Sequence, residues 1–207
     1  MRTVTGSPAD AMTRHILGHM RALAIAVVMT LLACIACSES KLAGTELNAI
    51  DAPDFALTDG VSGRALQLAS LRGQVVALTF LYTSCPDVCP LTAAMFKAAQ
   101  DGLGQDAASV SFVAVSVDPE RDTPQAVQAF SKAHALERNW YYLVGARAQL
   151  ATVWAAYGIG VQDDSARVTH NDAVYLIDKR GRERVLMHSD ALATDLLPNL
   201  QTLARSG

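Results

Sequence analysis

The chain has 207 residues, with 17 Lys plus Arg against 20 Asp plus Glu and a formal charge of −3, so it lacks the basic excess of a dedicated nucleic-acid binder. At 51% hydrophobic and 18% charged residues, against about 25% charged in a typical globular chain, bulk disorder is excluded. The length fits one domain of ordinary size, and with 6% aromatic residues the core must be mainly aliphatic.

The first 37 residues read as a leader. Arg14, His15, His19 and Arg21 precede an apolar run from Ala22 to Cys37, and polar Ser38, Glu39 and Ser40 follow it. A cationic flank, a short apolar stretch and a small-residue exit describe a secretory signal, and the run is short for a membrane span of about 20 residues. Leu31-Leu32-Ala33-Cys34 fits the pattern of a bacterial lipoprotein signal, and Ile35-Ala36-Cys37 fits it too. An uncleaved anchor helix is the alternative, and Met12 or Met20 would give a more usual leader length than Met1. Each version predicts a bacterial cell-envelope protein on the periplasmic side. Its tether is a lipid-modified Cys34 or Cys37, or an N-terminal helix. Residues 1–37 hold Arg2, Arg14, Arg21 and Asp10, so removing them leaves a remainder at a formal −5 with two cysteines, Cys85 and Cys89, and three histidines.

Residues 38–52 read as a linker and 53–207 as the folded domain. Pro53 to Gly60 alternates apolar and polar residues before a turn, as an edge hairpin does. Val75 to Tyr82 is a continuous apolar run, the pattern of a strand buried on both faces. Pro90 to Leu103 carries apolar residues at helical spacing, with Pro90 at the first helical position. Val110–Val117 predicts a strand, Pro124 to Ala135 a helix, Tyr141–Val144 a strand, and Arg147–Tyr157 a helix that Gly158 ends. Ala173–Asp178 and Glu183–Met187 predict a hairpin, and Leu192–Leu203 a last amphipathic helix. The order β-β-α-β-α-β-α-β-β-α predicts an α/β fold, a mixed sheet flanked by helices with an added N-terminal hairpin. Gly158-Ile159-Gly160 ends a helix rather than opening one, so it reads as a cap and not a phosphate loop.

Cys85-Pro86-Asp87-Val88-Cys89-Pro90 falls at a strand-to-helix junction, where unpaired N–H groups and the positive end of the helix dipole favour thiolate over thiol. Three readings are open: a structural disulfide, a redox-active dithiol, or a metal site. A bridge over so few residues removes little chain entropy, which weakens the first. Two soft thiolates select Cu(I), and an added imidazole also suits Cu(II). A structural zinc takes four ligands, and residues 38–207 hold no third cysteine.

The segment Phe80-Leu81-Tyr82-Thr83-Ser84-Cys85-Pro86-Asp87-Val88-Cys89-Pro90 resembles the metal-binding signature of the Sco/SenC family, membrane-tethered copper chaperones of thioredoxin-like fold. Val115 to Pro124 (VSVDPERDTP) looks like the family's second signature, and His170 followed by Tyr175-Leu176-Ile177-Asp178 and Gly181 like its third. The likeness runs from about Pro53 to the final helix. It implies a copper site made by Cys85, Cys89 and His170, holding Cu(I) or Cu(II). It also implies delivery of copper to the binuclear centre in the copper-bearing subunit of cytochrome c oxidase, with a periplasmic copper donor and a thiol reductase as further partners.

His134 reads as solvated and His188 as a reserve ligand. Asp118 and Asp122 read as turn and cap residues or as groups that orient a ligand, Asp87 as a helix cap, and Met95 and Met187 as core. The main rival function is thiol-disulfide oxidoreduction by Cys85 and Cys89, with a copper or redox sensor as a third. Thioredoxin-like reductases carry C-x-x-C and a cis-proline, whereas this chain has C-x-x-x-C and no proline between Pro124 and Pro198.

Overall fold

Two seven-residue stretches without a charged side chain set the middle of the molecule. In the computed structural model, which describes residues 41–164 and 168–206, Val75–Leu81 and Val110–Ser116 are neighbouring parallel strands buried at every position. Such strands need cover on both faces, and the remaining elements supply it. In chain order the strands are β1 (Thr45–Glu46), β2 (Ala56–Asp59), β3 (Ala65–Gln67), β4 (Val75–Leu81), β5 (Val110–Ser116), β6 (Trp140–Val144), β7 (Val161–Asp163), β8 (Val168–His170), β9 (Val174–Ile177) and β10 (Glu183–Met187). The helices are α1 (Val88–Gly102), α2 (Pro124–Ala133), α3 (Arg147–Ala156) and α4 (Leu192–Arg205). Leu42–Gly207 forms one compact unit, and the leader with Cys34 and Cys37 lies outside the described residues. Among the described residues no helix is long and apolar enough to cross a membrane.

The main sheet has eight strands in the order β1-β10-β9-β4-β5-β6-β2-β3, and β7–β8 forms a two-stranded sheet of its own. Strands β4, β5 and β6 are parallel, and the outer pairings are antiparallel, so the expected mixed sheet is present. Right-handed crossovers along β4-β5-β6 put α1 and α2 on one face. There Phe96 of α1 meets Phe112 and Trp140, and Phe130 of α2 meets Tyr142. Helix α3 covers the other face, where Tyr157 packs on Phe80 and Tyr175. The ridge of buried aliphatic residues between the layers is the core.

Three expectations shift. The segment read as linker carries β1, which pairs with β10, and Asp51 bridges Arg182, because β10 otherwise leaves its outer backbone groups unpaired. Helix α1 starts at Val88, two residues before Pro90, so the proline occupies the third helical position, where its missing N–H is still no loss. His170, for which the sequence pattern gives no strand, stands on β8, ahead of β9. Helix α3 stops in a capping turn: Gly158 takes φ 64°, its N–H reaches Ala155 O at 3.2 Å, and Ile159 N–H reaches Trp154 O at 2.7 Å.

Candidate metal centre

The parallel strands β4 and β5 end at the same rim, which brings the first two signatures side by side. Val117 N–H donates to Leu81 O at 2.9 Å, joining the chain just past both strands. Asp122 then fastens the cysteine loop. Its carboxylate, 3% exposed, accepts from Thr83 N–H at 2.8 Å, Thr83 Oγ1 at 2.7 Å, Ser116 Oγ at 2.6 Å and Tyr142 OH at 3.1 Å. Burial nevertheless holds its pKa above the ordinary carboxylate value. The capping role expected of this turn belongs to Thr123, whose Oγ1 accepts from Ala126 N–H at 3.2 Å. Asp118 is fully buried and ion-pairs with Arg121.

The two cysteines occupy different places around one helix end. Cys89 lies inside the first turn of α1 and is buried, while Cys85 precedes the helix and is half-buried. Both are free thiols. Asp87, at the N-cap position, makes no side-chain capping bond, contrary to expectation. Its place is taken by sulfur: Cys89 N–H points at Cys85 Sγ at 3.5 Å, so an otherwise orphaned helix donor faces a thiolate. The Cys89 thiol donating to it lowers the Cys85 pKa to about 5 against burial, with the Asp87 and Cys89 amides and the Tyr82 hydroxyl adding to the effect. The same hydrogen bond, with burial, pushes the Cys89 thiol far up.

His170 reaches this neighbourhood through Tyr82. The two rings meet edge to face with centroids 6.1 Å apart, and the phenol also bonds Cys85. The imidazole is half-buried, and its Nδ1 lies 3.0 Å from Asn171 O, which leaves Nε2 for another partner. Among the described residues no three His, Cys, Asp or Glu side chains stand together closely enough to hold a metal ion. The third signature is thus brought to the rim of the dithiol but stands off from it. His188 is exposed, its Nδ1 2.8 Å from Asp172 O. His134 is half-buried against Phe130, with ring centroids 4.5 Å apart, rather than simply solvated. Met187 is buried in the core, and Met95 packs partly buried against it.

Sequence reasoning passed over Tyr82, whose apolar neighbours hide a ring that touches both a sulfur and an imidazole. It also passed over Asp163, discussed below. Nothing in local periodicity marks either, since each acts across the fold. No cis peptide bond occurs among the described residues, in keeping with the absence of a reductase-type cis-proline.

Two sulfurs at one helix end, with an imidazole on a separate hairpin, are ligand types that suit a soft metal. Comparison with known proteins places the chain in a family. The SCO1/SenC family pattern matches residues 44–205. The SCO2-like protein of Rickettsia prowazekii is 26% identical over 141 residues, covering 66% of this chain and 69% of that protein. The crystal structure of a SCO1/SenC family lipoprotein from Bacillus anthracis superposes with a TM-score of 0.69 at 25% identity, covering 76% of this chain and 97% of the other. Bradyrhizobium japonicum ScoI, solved with copper bound, gives a TM-score of 0.61 at 30% identity over 72% of this chain and 98% of its own. The fold is thioredoxin-like, and with a match running through nearly all of the described residues the chain belongs to the SCO1/SenC family.

Proposed function

We propose that the protein is a copper carrier that takes the ion on Cys85, Cys89 and His170 and delivers it to the binuclear copper site of cytochrome c oxidase, or prepares that site. The observation that carries this reading is the placement of both sulfurs at one helix start, with Cys89 N–H 3.5 Å from Cys85 Sγ and the His170 ring against Tyr82 beside them. Cu(I) displaces the single remaining proton and is held by two sulfurs, while Cu(II) gains more from the imidazole. Three protein ligands leave one side of the ion open, as cargo to be passed on requires. Copper bound to the Bradyrhizobium ScoI supports the cargo, and family membership supports the oxidase as recipient. The leader supports a periplasmic placement with a membrane tether, in line with the Bacillus relative described as a lipoprotein.

The test is a copper titration of the reduced protein with optical and electron-paramagnetic spectra. One ion per chain is expected, Cys85→Ser should abolish tight binding of both oxidation states, and His170→Ala should weaken Cu(II) far more than Cu(I). Equal retention of both ions in His170→Ala would remove the imidazole from the site.

A second reading rests on the same ionisation. Cys85 thiolate can attack a disulfide sulfur of a client, forming a mixed disulfide and releasing one client thiolate. Cys89 then loses its proton and attacks Cys85, forming the intramolecular disulfide and freeing the second client thiol. Metal-free turnover of disulfides by His170→Ala protein would favour it.

A further inference from the structure

His170 is carried by a hairpin outside the main sheet, seated on the core by buried Val168 and partly buried Val161. Hairpin β7–β8 pairs Val161 with His170, Gln162 with Thr169 and Asp163 with Val168, apart from the main sheet. At its base Asn171 Oδ1 accepts from Gly160 N–H at 2.7 Å, which closes the hairpin on itself. Besides the contact of His170 with Tyr82, charge joins it to the cysteine side. Asp163 Oδ2 accepts from Arg147 Nη2 at 2.9 Å, and Asp163 Oδ1 lies 3.7 Å from Arg121 Nη2.

Both arginines lead back to the second signature. Arg147 grips Glu120 with two parallel bonds, Nε to Oε1 at 2.8 Å and Nη2 to Oε2 at 2.5 Å. Arg121 pairs with the buried Asp118. One residue further on, Asp122 holds Thr83, two positions before Cys85. A connected path therefore runs from the hairpin through two guanidiniums to the turn and on to the cysteine loop. Among the described residues Asp163 is the hairpin residue in it; its side chain is 22% exposed and that of Arg147 44%, so salt screens the pairs.

We propose that Asp163, clasped by Arg121 and Arg147, is a positioning residue that confines the His170 hairpin beside the dithiol. This rests on His170 being the third ligand. The arginine arms are long, so the clasp limits the space the imidazole searches without blocking its approach. Confinement raises the local concentration of the imidazole at the sulfurs. It acts on the oxidation state that uses the imidazole and spares the one that needs only sulfur. Nothing in the second signature's spacing announces this role, because its charged residues find their common partner some forty positions later in the chain.

The test uses the full reduced protein and its Asp163→Asn, Arg147→Gln and Asp163→Glu variants. Amide hydrogen exchange without metal is read first. Asn at 163 and Gln at 147 should speed exchange at Val168–His170 and leave β4 and β5 unchanged, while Asp163→Glu should restore protection. Copper titration is read second. Both charge-removing variants should bind Cu(II) about three- to fivefold more weakly, the range of one exposed ion pair, with Cu(I) affinity unchanged. High salt should weaken Cu(II) binding in the parent and not in Asp163→Asn. Unchanged exchange, or Cu(II) affinity equal to or tighter than the parent's, overturns the proposal. If His170→Ala keeps its Cu(II) affinity, the ligand reading fails, yet the exchange data still decide whether Asp163 confines the hairpin.

Discussion

Cys85 and Cys89 are pushed in opposite directions because one precedes the helix and faces its amides while the other is buried in its first turn. Cys85 has its sulfur over the open amides of the first turn, whereas Cys89 is enclosed and gives up its proton only into a hydrogen bond. Alkylation should report the difference. With iodoacetamide, the rate at Cys85 in the reduced protein should rise with pH through a midpoint near 5, since only the thiolate reacts and its population grows as pH climbs past the depressed pKa. Cys89 should stay unmodified throughout, as peptide mass analysis would show. Equal labelling of both sulfurs would contradict the assignment. Asp122 illustrates the same contrast between spacing and contact: the sequence offers it as one more acid in a turn, and the fold uses it to hold Thr83, Ser116 and Tyr142 together.

Elements of five residues or more announce themselves by pattern, and those of two or three do not. The apolar runs of β4 and β5 and the helical spacing of α1 and α4 are readable because each buries a whole face. β1, β7 and β8 have too few residues to show a period, and their existence depends on a distant partner strand or a hairpin closure. So Cys85 and Cys89 are legible as a pair from their place at a strand-to-helix junction, the proposed addition of His170 only through resemblance to a family, and the hairpin that carries the imidazole not at all. The start of α1 is misplaced by pattern for a related reason: a sulfur, not an Asp or Ser side chain, meets its first donors. The end of α3 is correctly marked by Gly158, and its conformation makes a clean test. A Cβ there would meet nothing within 4 Å, so Gly158→Ala carries only the cost of the left-handed backbone. It should lower unfolding stability by about 1 kcal/mol in urea melts, with copper binding unchanged. A neutral result would mean that the turn relaxes to another closure.

At the scale of the whole molecule, charge is arranged so that different carboxylates respond to pH in opposite senses. Burial raises the pKa of Glu183 on β10, so the stability it contributes is present below the ordinary Glu range and is lost as pH rises through its folded value. Asp178 is lowered: burial opposes ionisation there, but Arg182 and the turn amides outweigh it, and its contribution is lost in acid. Glu183→Gln should therefore stabilise the protein near pH 7.5, with the gain shrinking towards pH 4, read as urea midpoints at the two values. A gain independent of pH would assign the effect to packing instead. The same sheet has one more property, set at its two margins. β1 contributes two residues and β3 three, so neither rim presents more than a few backbone groups. Among the described residues, neither outermost strand of this sheet offers a second polypeptide a long template for extension.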